Sequence, residues 1–188
     1  MRLKSGLGRA KLGMSFVIWI TGPSGTGKTT LANALYKRLS EMGLNVEILD
    51  GDGLRSKLYP DLGFSKEERK MHNRIVAQMA KLLAKNGIIT IVSAISPFKE
   101  SREYARREIG KFMEIYLKCP LEVRVQRDPK GLYSKALKGE LEGLTGYDGI
   151  YEEPENPELV LETHTMSVEE EVEAVIAKAR ELGFIEME

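Results

Sequence analysis

The stretch GPSGTGKTT sets Gly22, Gly27, Lys28 and Thr29 at the spacing G-x-x-x-x-G-K-[ST], between the apolar run FVIWIT and the amphipathic run TTLANALYKRLSEM. Between a strand and a helix, such glycines let the backbone curl until its N–H groups converge on phosphate oxygens. The helix N-terminus adds its positive end, Lys28 reaches the outer phosphates and Thr29 offers an oxygen to Mg²⁺. A nucleoside triphosphate site over Gly22, Pro23, Ser24, Gly25, Thr26, Gly27, Lys28, Thr29 and Thr30 is therefore expected. The alternative is an accidental glycine-rich turn.

A phosphate cradle does not by itself separate a kinase from a GTPase switch or a motor. DGDGLR is more telling, with Asp50 and Asp52 ending an apolar run and Arg55 three residues on. Phosphoryl transfer rests on positioning and charge neutralisation, with a carboxylate beside the attacking hydroxyl or the metal's water. Asp52 suits that catalytic role, and Asp50 suits metal-water contact or loop structure. Both are also ordinary helix N-cap residues.

GFSKEER supplies Phe64 and Arg69, and Arg55 with Arg69 can grip an anionic acceptor through forked hydrogen bonds. Phe64 has a second reading, a hydrophobic staple before the helix cap. SAISPF offers the backbone of Ile95 and the hydroxyl of Ser96, which can contact the acceptor, take phosphate transiently, or simply be a turn serine before Pro97. Trp19 reads as core, and Cys119 as a buried thiol. His72 and His164 lack metal-ligand neighbours and read as solvated.

Short apolar runs alternate with amphipathic runs that stop at glycine. Strands are expected at 16–21, 45–50, 88–93, 111–119 and 158–163, with a helix after each, the last beginning at Ser167 and ending near Gly183. Ser65 with Glu68, and Ser167 with Glu170, have capping-box spacing. Strands apolar throughout, alternating with helices, call for a parallel sheet covered on both faces. Ligands of such sheets sit beyond the strands' C-terminal ends. The loops at 22–29, 50–55, 93–98, 119–127 and 163–167 should then share one crevice. Residues 127–157, polar and glycine-punctuated, break every pattern. A structureless run of that length in a compact unit is usually functional, disordered or misassigned. At the crevice rim it can close over nucleotides and exclude water. Arg127 and Lys130 point charge at phosphates, while Gly131, Gly139, Gly143 and Gly146 permit hinging.

Within 188 residues, 28 Lys+Arg balance 28 Asp+Glu, and 42% of residues are hydrophobic. These totals fit a single soluble domain over 14–188 and give no sign of a nucleic-acid partner. FVIWI is too short to cross a membrane. Residues 1–13 are basic, lack a secretory apolar core and read as a flexible tail, with Met14 a possible true start. Cytoplasm is the expected compartment. Many Lys and Glu with few Asn and Gln lean toward a heat-adapted source.

With GPSGTGKTT, LDGDGLR, DLGFSKEER, ISPF, RDPKGLYSKA and LTGYDGIYEEPENPELVLET in that order, the chain resembles the adenylylsulfate kinase (APS kinase) family beyond its tail. The resemblance implies a P-loop kinase: three α/β/α layers, a mainly parallel five-stranded sheet and a lid insert, commonly as a homodimer. It implies Mg²⁺- and ATP-dependent phosphorylation of the 3′-hydroxyl of adenosine 5′-phosphosulfate. Asp52 would then sit at the hydroxyl and the metal, with Thr29, and Lys28 at the phosphates. Asp50, Arg55, Phe64, Arg69, His72, Ile95, Ser96, Lys130, Gly131, Leu132 and Leu144 would contact the acceptor. Arg127 would belong to the lid and the ATP base site. Three positions depart from the family pattern: His72 replaces an asparagine, Ile75 a second arginine, and Leu144 a lid phenylalanine. Another small-molecule P-loop kinase, or a nucleotide-binding regulatory module, are the competing readings.

Overall fold

A computed structural model of the chain describes residues 15–186, so the readings for the basic tail and Met14 lie outside the described residues. Five strands, β1 (Val17–Thr21), β2 (Val46–Asp50), β3 (Ile89–Ser93), β4 (Phe112–Lys118) and β5 (Leu159–Glu162), form one sheet in the order β2-β3-β1-β4-β5. Every pairing is parallel.

The period of two along each strand builds two cores. Ile18 and Ile20 of β1, Ile91 of β3, and Met113, Ile115 and Leu117 of β4 face one side. There they meet Leu31, Leu35 and Leu39 of α1 (Lys28–Glu41) and Val172, Val175 and Ile176 of α7 (Val168–Glu181). Val17, Trp19 and Val92 point the other way, onto Val76, Ala77, Ala80 and Ala84 of α3 (Lys66–Lys85) and Ala105 and Ile109 of α4 (Lys99–Ile109). The small alanines of α3 let the helix sit close to the sheet. α3 and α7 begin with complete capping boxes, Ser65–Glu68 and Ser167–Glu170, at the expected residues.

Two helices were not expected. α2 (Gly51–Leu58) occupies the DGDGLR segment, capped by Asp50, whose carboxylate accepts from Gly53 N at 3.3 Å. Helix propensity argues against glycine there, but packing overrides it. A Cβ at Gly51 would lie 3.0 Å from Ala94 Cβ and 3.3 Å from His72 Nε2. α5 (Leu121–Arg127) is the expected short helix, and α6 (Leu132–Leu137) follows inside the stretch expected to be irregular. Asp128 accounts for α6: its carboxylate accepts from Tyr133 N, Ser134 N and Ser134 Oγ.

Candidate active site

The crevice predicted from strand order exists. Residues from four of the five expected loops (Ser24–Thr30, Asp50–Arg55, Ser93–Ile95 and Thr163–Ser167) line one cavity of about 1380 Å³, with Arg127 contributing from the fifth. Its remaining wall comes from the Phe64 region and from Pro129 to Thr145.

At its floor, Gly27 adopts a left-handed conformation (φ 97°) as the N-cap of α1. Lys28 is half-buried, and its ammonium donates to the carbonyls of Gly22 and Pro23, both at 2.7 Å. Burial drives its pKa down to about 7; the charge of Asp52 opposes that shift, while Lys130 and Arg124 add to it. The Thr29 hydroxyl is exposed, lines the cavity and has no hydrogen-bond partner among the described residues. Loop and helix together thus bring the Lys28 amine and the Thr29 side chain to the same cavity floor.

Asp52 stands in the first turn of α2 and pairs with Lys130 across the cavity mouth. Burial raises its pKa, but the hydrogen bond and charge of Lys130, joined by Lys28, more than offset this and leave the carboxyl below its ordinary value. Asp50 and Asp52 therefore divide the two sequence readings: Asp50 takes the cap, and Asp52 is left facing the cavity.

On the neighbouring wall, Phe64 is 67% exposed, which removes the staple reading. Its ring lies under two guanidinium groups, Arg55 at 4.2 Å and Arg69 at 5.5 Å. Arg69 is otherwise occupied. It donates to Phe64 O at 2.7 Å, to Thr145 Oγ1 at 2.7 Å and to Gly143 O at 3.3 Å, so it ties α3 to residues 143–145. Arg55 donates to Leu62 O, while its buried Nε has no partner. Leu144 is buried against the cavity, with its N–H on the carboxylate of Asp148.

Residues 133 to 146 are built into the cradle. Tyr133 is fully buried; its hydroxyl donates to Ser24 O at 2.8 Å and accepts from Arg124 at 2.9 Å. A second nitrogen of Arg124 donates to Gly146 O. A Cβ at Gly146 would meet Pro23 Cγ at 2.7 Å, so glycine there allows close approach rather than hinging. The far end is fixed too, with Arg102 donating to Glu152 O and Glu152 N donating to Pro97 O.

Five expected site residues do not line the cavity: Gly22, Pro23, His72, Ser96 and Gly131. The glycines and proline shape their turns from behind. His72 is buried rather than solvated, with Nδ1 2.7 Å from the Tyr59 hydroxyl. Burial, helped by the charge of Arg55, holds its pKa down at about 4, so the ring is neutral at physiological pH. Ser96 is 2% exposed with φ 46°; its hydroxyl accepts from Trp19 Nε1 at 3.0 Å and donates to Asn73 Oδ1 at 2.9 Å. Its hydroxyl thus serves a buried frame that joins β1 to α3. Trp19 and Cys119 are buried, as expected.

Residues 14–162 match the family model described as adenylylsulphate kinase. A probable adenylyl-sulfate kinase of Pyrococcus abyssi is 66% identical over 170 residues, covering 90% of this chain and 98% of the relative. One from Archaeoglobus fulgidus is 73% identical over 150 residues, covering 80% and 97%. Among solved structures, Mycobacterium tuberculosis APS kinase CysC in complex with AMPPNP and APS superposes with a TM-score of 0.85 at 39% identity, covering 89% of this chain and 98% of that one.

Proposed function

The chain belongs to the adenylylsulphate kinase family, and from that premise we propose that it transfers the γ-phosphoryl group of ATP to the 3′-hydroxyl of adenosine 5′-phosphosulfate in sulfate assimilation. The products are ADP and 3′-phosphoadenosine 5′-phosphosulfate. The observation that carries this reading is one continuous cavity, about 1380 Å³, running from a phosphate cradle past Asp52 to an arginine-flanked aromatic wall. A single small ligand needs roughly 300–1,000 Å³, so the space suits two nucleotides meeting at a carboxylate.

In this reading the loop from Gly22 to Thr30 holds the triphosphate, and Lys28 neutralises charge on the transferring group. Asp52 takes the proton of the attacking hydroxyl. A base held below its ordinary carboxyl value is weak, so Lys130 must leave it for the phosphates when both substrates are bound. That exchange gives the lid a chemical task besides excluding water. Phe64 and Arg55 suit the acceptor's adenine and anionic tail. Arg69 keeps the lid over them. Ser96 and His72 support that wall from behind, and Ser96 is not proposed as a phosphate acceptor.

The residues fit Mg²⁺. The available donors are oxygens, from the Thr29 hydroxyl and the Asp52 carboxylate, and this ion usually keeps several waters and phosphate oxygens of its own. No group of three His, Cys, Asp or Glu able to hold a metal occurs among the described residues, and such a site needs none. When bound, the ion neutralises charge on the phosphates. We extend the proposal to a single domain over 14–188 with its lid at 127–157, acting as a cytoplasmic homodimer; sedimentation velocity checks the dimer. No helix among the described residues is long and apolar enough to cross a membrane.

The test is ADP release from Mg-ATP with and without adenosine 5′-phosphosulfate, beside nucleosides and sugar acids. Stimulation by adenosine 5′-phosphosulfate with a 3′-phosphorylated product is expected. Stimulation by another acceptor alone, or by none, would overturn the proposal.

Leu144→Phe probes the acceptor side. An aromatic pair contributes ~1 kcal/mol beyond its area, so the variant should lower the acceptor KM several-fold if Leu144 faces the adenine. An unchanged or higher KM would remove position 144 from the stacking site.

A further inference from the structure

α7 opens with three consecutive glutamates whose fates differ. Glu170 completes the capping box and Glu169 is exposed. Glu171 is 4% exposed and lies on the helix's buried face, with Val172, Val175 and Ile176. It also lines the cavity. Its carboxyl has no hydrogen-bond or ion-pair partner among the described residues, so the fold gives it no structural work. The nearest influential cation is Arg127, whose guanidinium is committed to Thr163 O at 2.9 Å and Gly25 O at 3.4 Å. Burial pushes the carboxyl up to about 7, with Arg127 pulling against it.

A carboxyl on a buried helix face that opens only onto the cavity and meets no protein partner is placed to meet a ligand there. Around Glu171 this end of the cavity presents Met166 and Val168, two apolar side chains, and Arg127, a flat cation joined to the cradle through Gly25. Apolar faces with one inward acceptor suit a heteroaromatic ring bearing an amine. We propose that Glu171 selects the nucleobase of the phosphoryl donor, accepting a hydrogen bond from the exocyclic amine of adenine. Against the ionised carboxylate, a base with a carbonyl at that position would set oxygen against oxygen, so the discrimination should be measured above pH 7, where the carboxyl has lost its proton. The inference rests on the reading of this cavity as a nucleoside triphosphate site.

The experiment compares kcat/KM for ATP and for ITP, which differ by amine against carbonyl at one ring position, in wild type, Glu171→Gln and Glu171→Ala, with melting temperatures. A site built around a substrate amine rejects its analogue strongly, because the site's own polar group is left unpaired. The ATP:ITP ratio should fall at least ~10-fold in Glu171→Ala, mainly through KM for ATP. It should also fall in Glu171→Gln, whose amide can donate to the inosine carbonyl. Both variants should melt close to the wild-type temperature, since no hydrogen bond or ion pair of the fold is lost. An unchanged ratio in folded variants would overturn the assignment. So would an equal loss for both nucleotides with a lowered melting temperature, which marks a structural glutamate. Wild type that turns over neither nucleotide, with no melting shift from either, would instead overturn the triphosphate reading beneath it.

Discussion

Asp52→Ala is expected to lower kcat by about 10²–10⁴-fold, the usual worth of a positioned general base, while ATP affinity changes little. The confounding possibility is that the change breaks the fold locally, and here the two aspartates separate cleanly. Asp50 caps α2 through Gly53 N; Asp52 makes no capping bond and reaches across to Lys130. Removing Asp52 therefore sacrifices a first-turn charge, worth roughly 0.3–1 kcal/mol at a helix N-terminus, and a largely exposed ion pair with Lys130, a class of interaction that contributes little to stability. Asp50→Ala is the control, since it loses the cap and should cost stability before chemistry. Turnover close to wild type in a folded Asp52→Ala protein would end the assignment of the base.

Asp52 also illustrates which parts of the site were legible beforehand. The cradle, the five strands and the loops that meet at the crevice follow from periodicity and from the rule that ligands gather at the strands' C-terminal ends. These signals are local, or depend on strand order alone. The helix over Gly51–Leu58 carried only the N-cap signal of its aspartates. Two glycines lower its propensity, and the reason for Gly51 is contact with Ala94 and His72, from distant parts of the chain. The surroundings of His72 and Ser96 have the same distant origin. A lone histidine on a helix is solvated unless a neighbour such as Tyr59 covers it, and a serine before proline is a turn residue unless Trp19 and Asn73 claim its hydroxyl. Glu171 does carry a sequence signal: residues 171, 172, 175, 176 and 179 form one stripe, apolar except for the glutamate, which therefore asks for an explanation.

Lys28→Met should cut kcat/KM by about 10²–10³-fold, the loss typical of one preorganised charge-stabilising donor. The structure adds a second, less usual expectation. Without a phosphate, the ammonium donates to two loop carbonyls and its pKa stands at about 7 rather than 10.5. The sign follows from proton counting. Between about 7 and 10.5 the unfolded chain holds a proton that the folded, ligand-free chain does not, so stability rises with pH across that window. Bound triphosphate reverses the environment, because its negative charge favours the ammonium. ATP binding above pH 7 should therefore take up a proton, read by calorimetry as a binding enthalpy that changes with the buffer's ionisation enthalpy. Lys28→Met should abolish that uptake and flatten the pH dependence of stability, whatever its effect on turnover. Proton uptake that survives the substitution would place the titrating group elsewhere in the cradle and leave Lys28 charged throughout.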